Sequence, residues 1–249
     1  MSQPSQQPRY RFYATLLDVF SWYQRSESET AFQEFIDKIN RVPFYSEDAA
    51  KGTAFNEVVD TVLAGGDCDR NADGTFTHCG FNFPAPIVER FVETLLGGVT
   101  QVRISAPLPT RFGLVEVYGV IDCVLPACIQ VDVKTTKDYT MPKYLRAWQH
   151  IVYPYCAYQK GPADYQFTYL VTDFSGFYRE DYFYNQGRDA ALLTHHCEAL
   201  IEFIEQHRGL ITDSKIFGLE QPSILIAHRN EDLNTTIVEP DRRDAEVTC

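Results

Sequence analysis

Apolar residues fall at helical spacing in the first third of the chain. Phe32, Phe35, Ile36 and Ile39 share one face of residues 28–40, and Phe55, Val58, Val59 and Val62 share one face of residues 46–63. This period predicts two amphipathic helices. Gly65-Gly66 ends the second. Pro84 and Pro86 open a third, which runs to about Leu96 and closes at Gly97-Gly98. Residues 67–82 are rich in Asp, Asn and Gly and predict a turn with a short strand. After residue 100 the pattern changes. Segments 102–107, 114–125 and 128–135 read as successive strands, with Leu125-Pro126-Ala127-Cys128 as a hairpin turn. A long helix is expected over 142–159, strands over 166–172 and 178–184, and a last helix over 188–207. Residues 1–9 and the tail beyond about Asn230 are polar and predict mobile ends.

The order is helices, a three-strand meander, a helix, two strands and a helix. It predicts an α/β fold with a mixed central sheet flanked by helices and an N-terminal helical portion. A length of 249 residues suits one domain, with its core over about 46–207. No apolar run is long enough for a membrane span. The net charge of −12 speaks against a broad nucleic-acid surface, because phosphate contacts need Lys and Arg, but leaves room for a narrow basic groove. The seven cysteines show no C-x-x-C pair, so there is no zinc-ribbon signal. An odd count and no secretory signal predict reduced thiols in a cytoplasm.

Chemistry concentrates in Val117-Tyr-Gly-Val-Ile-Asp122 and Ile129-Gln-Val-Asp132-Val-Lys134-Thr-Thr136. Strand residues alternate faces, so Asp132 and Lys134 point to one side and Val131 and Val133 to the other. Asp122 ends the preceding strand across a short turn. Two carboxylates and an ammonium can then converge. Carboxylate oxygens suit Mg²⁺ or Mn²⁺. Such an ion polarises a phosphate, and a neighbouring Lys can steady the attacking water and the developing charge. The bland alternative is two surface acids and a solvated Lys.

The ordered set G-x-I-D (Gly119, Asp122), V-D-x-K-T-T (Asp132, Lys134, Thr135, Thr136) and Q-x-x-x-Y (Gln149, Tyr153) resembles the RecB-like, phage-exonuclease-like branch of the PD-(D/E)XK nucleases. The resemblance covers about residues 50–185. It implies a restriction-endonuclease-like core and metal-dependent hydrolysis of DNA, as an exonuclease in recombination, repair or phage DNA processing. It makes Asp122, Asp132 and the Val133 carbonyl metal ligands and gives Lys134 to the nucleophilic water. Gln149 and Tyr153 would support the site from one helix face. The family's upstream G-T-x-x-H motif is matched by Gly52-Thr-Ala-Phe-Asn56-Glu57, with Asn where the family has His. Either Asn56 or Glu57 could serve as the upstream ligand. The cysteines lack the grouping of relatives that carry an iron–sulfur cluster, so no cluster is expected. DNA is the implied partner, in a bacterial or phage-infected cytoplasm. A recombination partner protein and a ring-shaped oligomer are compatible with the resemblance but not required by it.

Lys137, Lys143 and Arg146, interleaved with Tyr139, Tyr144 and Trp148, form a local basic stretch that could hold a phosphate backbone. Residues 69–80 match the start of an EF-hand loop, but Gly80 replaces the bidentate Glu, so an ordinary turn is favoured. His195, His196 and Cys197 read as packing residues. Two other function classes stay open. One is a catalytically silent nucleic-acid-binding or scaffold member of the same fold. The other is an acidic protein-interaction protein.

Overall fold

The computed structural model describes residues 7–218. The expectations for residues 1–6 and for the tail beyond Asn230 lie outside them. The chain begins with β1 (Tyr10–Tyr13), α1 (Ala14–Arg25), α2 (Ala31–Ile39) and α3 (Glu47–Leu63). A hairpin of β2 (Thr75–His78) and β3 (Phe81–Pro84) leads into α4 (Ala85–Leu95). Then come β4 (Val99–Thr110), β5 (Gly113–Leu125), β6 (Ile129–Thr135) and α5 (Gln149–Lys160). The last elements are β7 (Gln166–Thr172), β8 (Phe177–Phe183) and α6 (Gln186–Gln206). The result is a mixed six-stranded sheet flanked by helices, as expected of a restriction-endonuclease-like core. Among the described residues no helix is long and apolar enough to cross a membrane.

Two hydrophobic cores cover the two faces of this sheet. The first gathers α1, α2, α5 and α6 against Val115, Val117, Phe167, Tyr169 and Val171. The second packs α3, α4 and the β2–β3 hairpin against Cys123, Val131, Val133 and Leu170. Alternation along β6 and β7 distributes these side chains: odd residues of β6 enter the second core, and Phe167, Tyr169 and Val171 enter the first.

β5 is the strand on which the site depends. Along one edge it pairs with β4 for nearly its whole length. Along the other edge it changes partner. Val115–Tyr118 pair in parallel with β1, and Cys123–Leu125 pair antiparallel with β6. Between these two partners the edge is open from Gly119 to Asp122. The ring of Tyr153 on α5 packs on the face of β5 at this point, and a Cβ at position 119 would stand 2.3 Å from its Cε1. Gly119 and Tyr153, which the sequence presents as separate motif residues, are therefore one packing pair.

Two sequence expectations need correction. β1 and α1 were not anticipated; Arg9 donates its amide to the Leu114 carbonyl (2.8 Å), so the expectation of mobility fails at this residue. The long helix begins at Gln149 and not near Pro142. The segment before it is tied to β8 by the buried carboxylate of Glu180. That carboxylate accepts the backbone amides of Lys143 (2.7 Å) and Tyr144 (3.1 Å) and the hydroxyls of Tyr139 (2.9 Å) and Tyr182 (2.6 Å).

The Gly119–Tyr153 contact predicts that Gly119→Ala destabilises the fold by about 1–3 kcal/mol, since a rigid ring must shift to admit the methyl group. Urea denaturation measures this. A variant with an unchanged midpoint would show that the ring moves freely.

Candidate active site

On β6 the side chains alternate as expected. Asp132 and Lys134 share the face opposite Val131 and Val133, and Asp132 is only 2% exposed. The Lys134 ammonium lies 2.6 Å from Asp132 Oδ2. Gln149, the first residue of α5, donates from Nε2 to Asp132 Oδ1 at 2.5 Å. Asp132 Oδ2 is buried, and its partner is the Lys134 ammonium.

Asp122 sits where β5 is irregular. The β4–β5 register runs from Val99↔Val124 to Thr110↔Gly113 and omits only the pair that Gln101 and Asp122 would make. Gln101 has a left-handed φ of 53°. On β5, Ile121 packs in the first core and Cys123 in the second, so strict alternation fails at Asp122. A local irregularity of this kind re-aims a side chain. Here it turns the Asp122 carboxylate to the open edge, where Oδ2 accepts the Val133 amide at 2.8 Å. A strand residue presents its N–H and C=O to the same edge. The Val133 carbonyl therefore faces the opening that holds Asp122.

Burial and the neighbouring Asp132 push the Asp122 carboxyl up to about 7, against the Val133 amide and Lys134, which favour its ionised form. Burial works against the Lys134 ammonium, but Asp132, Asp122 and Asp18 together hold it above its ordinary value. The centre is short of positive charge. Asp122, Asp132 and the Val133 carbonyl are oxygen donors suited to a divalent cation, which would relieve that shortage.

The second wall is α3. Gly52 lets this helix approach β6 so closely that a Cβ there would stand 2.7 Å from Thr135 Oγ1. Asn56 and Asp60 follow at successive i+4 positions on the same face. Asp60 accepts Gln101 Nε2 (3.1 Å), and burial raises its pKa; it also adds to the upward shift of Asp122. Asn56 lies between the residue that touches β6 and the residue that interacts with Asp122. Glu57 points elsewhere. Its carboxylate is 2.8 Å from His78 Nε2 on β2 and half exposed. Glu57, His78 and Cys79 come close enough for a small cluster, but Cys79 is disulfide-bonded and offers no thiolate.

Sequence reasoning missed Asp18 and Asp60. Asp18 on α1 accepts the backbone amide of Trp148 at 2.7 Å and so fixes the start of α5 one residue before Gln149. Burial pushes it up to about 6, offset by that amide and by Lys134. Leu16, Leu17, Phe20 and Tyr23 carry a helical spacing that could have revealed α1. The i+4 step from Asn56 could have revealed Asp60. Tyr153 is buried, and the Gln149 side chain also meets its hydroxyl.

The basic stretch is only partly available. Lys137 pairs with Asp48 at 2.9 Å. Lys143 turns back on its own loop, to the Asp138 carbonyl (2.6 Å) and the Thr136 hydroxyl. Arg146 is exposed. The loop at 69–80 is a turn in which Asp73 accepts the Thr75 amide and hydroxyl and Asn71 donates to Thr75 and Thr77. His196 is buried, stacked on Trp148 and bonded to the Leu17 carbonyl. Cys68, Cys123, Cys128, Cys156 and Cys197 are free thiols, so the expectation of reduced cysteines holds for these and not for Cys79.

No family model and no curated protein matches this chain. Solved structures similar to it include these two. SSO0001 is 14% identical over 81% of this chain and 79% of its own, with a TM-score of 0.42. A candidate exonuclease from Eubacterium rectale is 15% identical over 92% of this chain and 91% of its own, with a TM-score of 0.43.

The raised carboxyl of Asp122 sets a pH dependence. A carboxyl whose pKa is higher in the folded state contributes stability in full below about pH 4, its unfolded value, and loses it as the pH rises through the folded value of about 7. In EDTA, the melting temperature of the wild type should therefore fall steadily relative to Asp122→Asn between pH 4 and pH 7 and stop diverging above that. Scanning fluorimetry across this range tests it, and parallel curves would refute the assignment.

Proposed function

We propose that this protein is a Mg²⁺- or Mn²⁺-dependent nuclease of the PD-(D/E)XK type that hydrolyses DNA phosphodiesters, with an exonuclease of recombination, repair or phage DNA processing as the specific reading. The observation that carries it is the convergence of Asp122, Asp132 and Lys134 at the open edge of β5, with the Asp122 carboxylate on the Val133 amide and the Lys134 ammonium on a buried Asp132 oxygen.

Asp122, Asp132 and the Val133 carbonyl would hold the cation, with Asn56 as the upstream ligand in preference to Glu57, which is engaged with His78. A divalent cation bound there supplies Lewis-acid polarisation of the phosphate and lowers the pKa of a bound water. Lys134 orients the attacking water and stabilises negative charge that develops on the phosphate. Gln149 fixes one oxygen of Asp132 and leaves the other to Lys134 and the cation. Tyr153, wedged against Gly119, keeps β5 and α5 in register and so keeps Gln149 in place. Asp60 and Asp18 extend the negative field around the centre, which favours cation entry.

Cleavage of linear and circular DNA with Mg²⁺, Mn²⁺ or EDTA tests the reading. Asp132→Ala should lose all activity, and Lys134→Ala should lose a factor of about 10²–10⁴. Activity that survives EDTA, or that Lys134→Ala leaves intact, would sink it. Binding of DNA without cleavage would identify a silent member of the fold.

Calorimetric titration with Mn²⁺ separates the upstream candidates. Asn56→Ala should weaken binding by roughly tenfold or more, whereas Glu57→Ala should leave it unchanged. The opposite ranking would transfer the role to Glu57.

A further inference from the structure

Beside the carboxylate centre lies a second feature that the motif residues do not explain. A cavity of about 490 Å³ opens between α1, the 136–148 loop and the first turn of α5. Its walls include Ser21 and Arg25 from α1, Arg146 from the loop, Trp148 and Ile151 at the start of α5, and Leu192 from α6. It adjoins the centre by two routes. Asp18, Ser21 and Arg25 follow one another along one face of α1, at i, i+3 and i+7. Trp148 and Gln149 are consecutive, and Gln149 holds Asp132.

The charge of this cavity is unusual for the molecule. The chain carries a net charge of −12, and among the described residues eight of twelve arginines stand in ion pairs. Arg25 and Arg146 both line the cavity, and neither is in an ion pair among the described residues. Arg25 makes one hydrogen bond, from Nε to the Ser21 carbonyl at 2.8 Å, which aligns the guanidinium along its helix and leaves its terminal nitrogens unspent. Below the two cations the wall is apolar. Leu145 and Leu192 are 58% and 48% exposed, a cost in water that an apolar ligand would remove.

We propose that this cavity is a nucleotide-holding subsite, in which Arg25 and Arg146 bind a backbone phosphate and the apolar wall receives the adjoining sugar or base. The proposal rests on the nuclease reading of the neighbouring centre and adds a substrate contact to it. Guanidinium groups match phosphate oxygens in charge and fork geometry. The volume is within the range of about 300–1,000 Å³ usual for sites that hold small organic groups. An unpaired strand and a duplex both offer the phosphate; the unpaired strand alone offers a free base face.

The test is fluorescence anisotropy in EDTA with labelled single-stranded and blunt duplex oligonucleotides, at several salt concentrations. Arg25→Gln and Arg146→Gln should each weaken binding about tenfold and reduce the slope of log affinity against log salt by about 0.7–0.9. Lys160→Gln removes the same charge from the exposed far end of α5 and should change neither quantity. Loss confined to the single strand identifies the base-accepting mode, and equal loss on both substrates identifies phosphate contact alone. Arginine variants that match Lys160→Gln, or a wild type that binds neither oligonucleotide, would overturn the subsite. Failure of the nuclease reading shows separately, as undiminished cleavage by Lys134→Ala.

Discussion

One hydrogen bond organises this molecule. The amide of Val133 would ordinarily continue the ladder between β6 and β5, but it bonds to the Asp122 side chain instead. The substitution satisfies a buried donor without closing the sheet. Because the sheet stays open there, the Val133 carbonyl keeps its outward edge. Asp122 also gains a fixed orientation from the bond, at no cost in side chains of its own. The motif spacing G-x-I-D follows from this geometry: Gly at the ring contact, the acid three residues later at the point where β6 would have rejoined.

Around that opening the molecule collects more carboxylates than it neutralises. Asp122, Asp132, Asp60 and Asp18 come from β5, β6, α3 and α1, and Lys134 is the cation printed among them by the strand pattern. Buried like charges are unfavourable unless a counter-charge arrives. The overall stability of the fold thus carries a local debt at neutral pH that the rest of the two cores must offset. Both cores are well supplied for this. The aromatic stack of Phe20, Tyr23, Phe35 and Phe203 anchors the first, and Phe55, Phe83, Phe91 and Phe174 anchor the second.

What the sequence revealed depended on range. The β6 alternation of Val131, Asp132, Val133 and Lys134 is a local property of an extended chain, and it was legible. So were the helix face of Asn56 and the one shared by Gln149 and Tyr153. Asp18 was not, because its role comes from a contact across 130 positions with the Trp148 amide. The start of α5 was misplaced for the same reason: Asp18 holds the Trp148 amide just before it, and Glu180, far along the chain, ties Lys143 and Tyr144 to β8. The lysines of the loop illustrate a third limit. Composition placed Lys137 and Lys143 near the site, yet Asp48 and the Asp138 carbonyl engage them, while Arg25 from an unrecognised helix shares the cavity with Arg146.

The Glu180 carboxylate has a consequence for how this surface could change over time. Two of its four partners are main-chain amides, which almost any residue at positions 143 and 144 would supply. The loop's course is therefore specified by β8 and its own backbone, together with the rings of Tyr139 and Tyr144 and the Lys143 ammonium. Leu145 and Arg146 are exposed and take no part in that anchoring. New side chains at these two positions would leave the sheet undisturbed, so this wall of the cleft can diversify on an unaltered frame.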